Sequence, residues 1–173
     1  MEKDFKDISI KDIVRRAKVS TGTFYLYYTS KLDVYYQTYV LSDIYFANTV
    51  RPLVSTGDTQ TRLLTYFDQY ALYNSSISGI KLATLLYNGE NRCFLRESDG
   101  DGMLPVLYSV VEYGLQAGDL DSSMTVEQIV EFLMNAVRGL VHNWCIREGS
   151  FNLQTCMHEY VTRLYRAIRR EPD

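Results

Sequence analysis

The chain is poor in the residues that break or staple a fold, holding 3 Pro, 10 Gly and 3 Cys among 173 residues. So few breakers, with most glycines lying between long apolar-periodic runs, leave a few long helices joined by short connections. Cys93, Cys145 and Cys156 are odd in number and form no CxxC pair, which excludes a disulfide framework and fits reduced thiols. No apolar run approaches the roughly 18 residues of a membrane span, and Met1–Lys11 is charged throughout. Neither a membrane span nor a signal peptide is therefore expected, and a cytoplasmic location is. A glycine-rich phosphate loop and a nucleophile elbow are also missing. No residue set argues for catalysis or for a cofactor.

What is present is the composition of a folded domain, 46% hydrophobic and 23% charged. The formal net charge of −3 hides an asymmetry. Residues 1–31 carry seven Lys or Arg against four acids, while the rest carries eleven against seventeen. A mildly basic N-terminal module on an acidic body suggests that one end meets a polyanion.

Helical spacing organises nearly all of the chain. Ser9 precedes Ile10, Ile13, Val14 and Ala17 and caps a short helix over 10–17. Lys18-Val19 breaks it, Ser20 caps a second short helix to about Tyr28, and Ser30 caps a long third helix that ends before Pro52. Two short helices around a tight turn make a helix-turn-helix unit. Further helices follow over 59–74, 79–87 and 104–116, the last with Pro105 in its first turn. In the helix over 126–147 the apolar face is too wide for a simple surface helix. The final helix, 153–169, ends in cations that suit its C-terminus.

The run "VSTGTFYLYYTSK" (19–31) holds the most informative face. At about 100° per residue, Phe24, Tyr27 and Tyr28 share one sector and anchor the second helix inward. Thr21, Gly22, Tyr25 and Leu26 face out, with Thr23 on the flank. That outer face is uncharged, whereas a solvated helix normally carries Glu, Lys or Arg there. Hydroxyls for phosphates or base edges, glycine for close approach and an apolar side chain for a thymine methyl suit a DNA groove. Lys31 adds a charge and backbone donors where an anion would sit.

The segment "IKDIVRRAKVSTGTFYLYYTSKLDVY" closely resembles the helix-turn-helix of the TetR family of bacterial transcriptional regulators. The family's run is an Asp-Ile-Ala opening, an Ala-Gly-Val-Ser turn, Gly-Thr-(Leu/Phe)-Tyr-x-(Tyr/His)-Phe and Ser-Lys. It is matched by Asp12-Ile13, Ala17, Val19-Ser20, Gly22-Thr23-Phe24-Tyr25, Tyr27-Tyr28 and Ser30-Lys31. The resemblance implies an all-α protein: a helix-turn-helix DNA-binding domain over 1–36 and a larger helical bundle for ligand binding and dimerisation over 37–173. It implies that Ser20, Thr21, Thr23, Tyr25 and Lys31 contact DNA, Tyr25 and Lys31 on phosphates. Thr21, Gly22 and Leu26 would face base edges, and Ile13, Val19, Phe24 and Tyr28 would form the core of the reading head. Lys18 stands where the family has glycine; with φ > 0, lysine costs about 1 kcal/mol relative to Gly. The family also has a first helix ahead of this unit, where only Met1–Lys6 stand here.

The function implied is a ligand-responsive regulator, a repressor released from a pseudo-palindromic double-stranded DNA operator by a small-molecule effector. The alternative is a helical ligand-binding or interaction protein that has lost DNA binding for want of the first helix. A homodimer is expected through 126–147 and 153–169, with Phe132, Val137, Leu140, Val141, Tyr160, Leu164 and Ile168 at the interface. Tyr66, Tyr70, Tyr87, Tyr108, Tyr113 and Trp144 are the pocket candidates, because aromatics with polar tips suit apolar ligands that need one or two hydrogen bonds. No metal site is expected. Glu97–Gly102 resembles the opening of a calcium loop but reaches Pro105 and Tyr108 where later ligands belong. His142 and Cys145 share a helix, but Cys156 and His158 in the next are two apart and point to different sides.

Overall fold

Ser9 opens the first helix by a reciprocal pair of bonds: its Oγ accepts the N–H of Asp12 at 3.2 Å, and its own N–H donates to Asp12 Oδ2 at 3.0 Å. The computed structural model describes residues 7–87 and 101–170, with only the backbone described at Leu32, Tyr35 and Thr38. Helix α1 (Ile10–Ala17) ends with Lys18 in the left-handed region at φ 56, ψ 38. Lys18 N–H donates to Arg15 O and Val19 N–H to Val14 O, the pattern of a Schellman stop. Ser20 then caps α2 (Thr21–Tyr27), accepting Thr23 N–H at 2.9 Å. Tyr28 is extended, and α3 (Lys31–Tyr45) starts after Ser30, whose Oγ accepts Asp33 N–H at 3.1 Å.

α3 passes into a π-helical turn, Phe46–Val50, and then α4 (Arg51–Leu53). The expected stop before Pro52 is therefore corrected, since the proline lies within α4. Arg51 N–H reaches back to Phe46 O, and a residue without an N–H is tolerated in the first turn that follows. The body continues with α5 (Thr59–Leu72), a second π turn (Tyr73–Ile77), α6 (Gly79–Leu86), α7 (Met103–Gln116), α8 (Val126–Ile146) and α9 (Leu153–Ile168). Asp58, Thr125 and Asn152 cap α5, α8 and α9 with their side chains, as short polar residues do at helix starts. The isolated Leu120–Arg169 bridge is the one extended pairing among the described residues.

The chain divides into two compact units, 1–41 and 42–173, with the division inside α3. In the second unit α5 packs on α9 and α7, and α8 packs on α7, α9 and α6. Its core takes Leu63, Phe67 and Ala71 from α5, Val106, Leu107 and Val110 from α7, Ile129, Leu133, Val137 and Val141 from α8, and Leu153, Met157, Val161 and Ile168 from α9. One close approach requires a glycine. A Cβ at Gly114 of α7 would lie 2.5 Å from Thr59 Cγ2 and 2.7 Å from Leu120 Cδ1. The same corner is held by Thr59 Oγ1 donating to Asp119 Oδ2 at 2.6 Å.

Candidate nucleic-acid interface and interior aromatic cluster

In the first unit Val14 and Phe24 are the buried residues among the described side chains. Phe24, 4% exposed, meets Tyr28 at 5.5 Å between ring centroids and takes Tyr25 edge-on at 5.4 Å. Around this anchor the outer face of α2 is open: Tyr25 is 55% and Leu26 81% exposed, and Thr21 and Gly22 are exposed too. Ser20 and Thr23 sit at the helix start with their hydroxyl oxygens 2.8 Å apart.

Two expectations for the head are corrected. Tyr27 does not anchor α2 but is 76% exposed. It is the last helical residue, so no further turn carries its sector against a neighbour, and the Phe24–Tyr28 pair already fills the inner side. Tyr27 thus joins the outward surface, a residue that the wheel misplaced because it treats a two-turn helix as endless. Val19 is 42% exposed rather than core, because the left-handed turn at Lys18 swings the chain out before α2 begins.

The start of α3 also differs from the expected anion seat. Lys31 Nζ donates to the carbonyl of Ile8 at 2.9 Å and so fastens α3 to the segment before α1. The Asp33 carboxylate accepts both the N–H and the hydroxyl of Thr29, and these bonds hold its pKa below the ordinary value. A negative group therefore already occupies this helix start, where it also suits the helix dipole.

In the body, Tyr66, Tyr70 and Tyr87 come together. Tyr66 donates to Met103 O at 2.9 Å, and the Tyr70 and Tyr87 hydroxyls hydrogen-bond each other. Phe46 stands 5.1 Å from Tyr66 and 6.3 Å from Tyr70 by ring centroids, and Phe67 and Tyr73 complete the cluster. Arg138 of α8 lies within hydrogen-bonding reach of the Tyr70 hydroxyl. Burial pushes the Tyr70 phenol above its ordinary pKa, and the Arg138 charge opposes that.

The other pocket candidates stand elsewhere. Tyr113 lies beneath the Arg62 guanidinium at 3.6 Å, about 12 Å along α5 from Tyr70 at 1.5 Å per residue. Trp144 donates to Phe151 O at 3.0 Å beside the turn at Gly149. Tyr108 is half-buried on α7. Phe46, Tyr73 and Arg138 were missed from sequence. The available signal for Arg138 was a cation at helical spacing from Met134, Val141 and Cys145, inside an otherwise apolar stripe.

Of the residues expected at a dimer interface, Val137, Val141 and Ile168 are buried within the chain itself, and their assignment is corrected. Val137 and Val141 of α8 and Ile168 of α9 point to the body's own core. Phe132 is exposed, and Leu140, Tyr160 and Leu164 are half-buried. Among the described residues no cluster of three or more His, Cys, Asp or Glu is arranged to hold a metal. Most of the calcium-like run Glu97–Gly102, as well as Cys93, lies outside the described residues.

Residues 1–36 match the family model for bacterial regulatory proteins of the tetR family. The similarity to that family covers this N-terminal segment, 36 of the chain's 173 residues. The whole fold is similar to that of the transcriptional regulator FadR from Bacillus subtilis, solved in complex with stearoyl-CoA. That match has a TM-score of 0.77 and 16% identity, over 93% of this chain and 89% of that one. FadR from Bacillus halodurans, a fatty acid degradation regulator, matches with a TM-score of 0.71 and 19% identity over the same shares. No curated protein sequence matches the chain significantly. The architecture is therefore all-α, an N-terminal segment similar to the tetR family followed by a helical body whose fold is similar to that of these two proteins. Among the described residues no helix is long and apolar enough to cross a membrane.

Proposed function

We propose that the chain is a ligand-responsive DNA-binding transcriptional regulator, a cytoplasmic homodimer that represses from a pseudo-palindromic operator and is released by a small molecule, with no catalytic role. The observation that carries this reading is the uncharged, solvent-facing surface of α2 within a segment that matches the tetR family model. Tyr25, Leu26 and Thr21 on that surface offer hydroxyl and apolar contacts of the kind used in a major groove. Ser20, Thr23 and the added Tyr27 flank it. Two such heads related by a two-fold axis would meet half-sites about 34–36 Å apart. The interior aromatic cluster supports an apolar effector, and the stearoyl-CoA bound to the Bacillus subtilis protein supports a molecule with an acyl chain. Phe132, Leu140, Tyr160 and Leu164 are the accessible residues through which α8 and α9 would pair with a second copy.

The test is a fluorescence-anisotropy titration against DNA from upstream of the protein's own gene and against random DNA, each at low and moderate salt. Preference for the upstream sequence, with affinity falling by orders of magnitude as salt rises, supports the reading. Equal binding to random DNA would sink it, and leave a helical binding protein without operator recognition. Sedimentation at the mass of one chain at micromolar concentration would refute the homodimer.

A further inference from the structure

A large share of a protein's affinity for DNA comes from cations placed on phosphates, yet α2 brings none. Between Lys18 and Lys31 no residue carries a charge, so the charge that meets the phosphates beside α2 must come from residues around it. At the far end Lys31 is already engaged, its Nζ donating to Ile8 O at 2.9 Å. On α1, Arg15 is paired with Asp12 at 3.0 Å, and Lys11 lies in the first turn, away from α2 in the chain. Lys18 is the cation next to α2, two residues ahead of its Ser20 cap. It is exposed, and no carboxylate among the described residues pairs with it.

The backbone of Lys18 is a second, independent observation. Its φ of 56 and ψ of 38 lie in the left-handed region, which glycine enters more easily than any residue with a Cβ. The stop of α1 asks nothing of the side chain, because the N–H groups of Lys18 and Val19 close it on Arg15 O and Val14 O. A cation does suit the negative end of α1, but Arg15 and Arg16 already stand in that last turn. Lysine is thus held against its conformational preference with no bond inside the protein that uses its ammonium, and outliers of this kind gather at functional positions.

Reach agrees with this. Three steps of 3.8 Å put the Cα of Lys18 no more than about 11 Å from that of Thr21, the first residue of α2. The major groove is about 12 Å wide. With the outer face of α2 in the groove, Lys18 stays at the rim, where the phosphates run.

We infer that Lys18 is a phosphate contact of the reading head, held at the groove rim by the left-handed turn, and that its ammonium is the charge α2 lacks. This rests on the DNA-binding reading above and adds a residue to it. The contact is to the backbone of the DNA and carries no base preference. Glycine at this position would fit the turn better and bind DNA less well.

The experiment is fluorescence anisotropy of the full chain with the upstream duplex and a random duplex over a salt series, in the wild type and in Lys18→Gly, Lys18→Gln and Lys18→Arg. Lys18→Gly and Lys18→Gln are expected to weaken binding to both duplexes alike, several-fold at low salt. They also make the slope of log K against log salt shallower by about 0.9, as the loss of one phosphate contact requires. Lys18→Arg keeps affinity and slope. Limited proteolysis of the same preparations moves the other way: Lys18→Gly is cut more slowly within α1 and α2 although it binds less. An unchanged slope in Lys18→Gly, binding tighter than the wild type, or a loss confined to one duplex overturns the inference. Equal binding of both duplexes by the wild type removes operator recognition, while a shallower slope in Lys18→Gly still upholds the phosphate contact. Intact upstream preference with an unchanged slope removes the contact alone, and a wild type that binds neither duplex removes both.

Discussion

Asp43 is a residue on which two forces act in opposite directions, and substitution can weigh them. Its Oδ1 accepts the N–H of Met103, the first residue of α7, at 2.9 Å, so it caps that helix from the end of α3. Gly102 passes against the same carboxylate so closely that a Cβ there would collide with it. Burial raises the carboxyl pKa from its ordinary 3.8, and the Met103 bond works the other way. Desolvation being the larger influence, the charge is a burden while the acceptor oxygen is a gain. Asparagine keeps an acceptor of the same shape and sheds the charge, so Asp43→Asn is expected to be between neutral and about 1 kcal/mol more stable near pH 7. Alanine deletes the cap and is expected to cost about 1–2 kcal/mol, lowering the urea midpoint by about 0.5–1 M for a slope near 2 kcal/mol/M. The sign with pH follows from the raised value. The penalty is absent below the ordinary 3.8, sets in as pH rises through the folded pKa, and is complete above it. Any advantage of Asp43→Asn therefore narrows as pH falls from about 7 towards 4. Urea unfolding followed by the fluorescence of Trp144, the single tryptophan, reads the unit that contains Asp43. If Asp43→Asn unfolds at clearly lower urea than the wild type near pH 7, the charge at the start of α7 outweighs its desolvation and the reasoning fails.

Lys18→Gly relieves a left-handed lysine and is expected to stabilise the head by about 0.5–1 kcal/mol, read as slower proteolysis within α1 and α2. Tyr25→Phe and Tyr27→Ala change exposed side chains, so operator affinity falls by roughly tenfold for a lost contact of about 1.4 kcal/mol, with the thermal melt unmoved. A melt lowered as far as the affinity would mean that these rings support the head rather than the DNA. Gly114→Ala gains up to about 1 kcal/mol of helix propensity and loses about 1–3 kcal/mol to overpacking against Thr59 and Leu120. A lower urea midpoint is the expected result.

The first three helices were legible because each begins on a short polar cap, and Ser9, Ser20 and Ser30 perform in three dimensions what their positions imply. The left-handed Lys18 was legible from the family's glycine at that position. Periodicity failed where it runs out. A wheel assumes that the helix continues, and α2 stops at Tyr27. It also assigns a face without saying what covers that face, so Val137, Val141 and Ile168 looked like interface residues although the chain's own helices bury them. The π turns had no signature in the sequence, because their wider register answers to tertiary packing around Phe46 and Tyr73. Arg138 was visible only as an exception inside an apolar stripe, and its meaning came from Tyr70, which is far away in sequence.

The two units differ sharply in how much holds them. In the head, Val14 and Phe24 are the fully enclosed apolar residues among the described side chains, whereas α8 alone encloses Ile129, Val130, Leu133, Met134, Val137 and Val141. At about 1.5–3 kcal/mol for each buried side chain, Val14 and Phe24 contribute a few kcal/mol, to which caps add about 1 kcal/mol each. The caps at Ser9 and Ser20 are exposed, so water competes for the same groups, and the Ser30 cap is half-buried. Native-state hydrogen exchange should therefore show the α1 and α2 amides opening at a free energy several kcal/mol below that of the α5 and α8 amides. Addition of operator DNA should raise protection in α1 and α2 first, because binding selects the folded head and adds its free energy there. Protection of the α2 amides equal to that of α8 in free protein would refute this. It would mean that contacts beyond Val14, Phe24 and the three caps hold the head as firmly as the body's core.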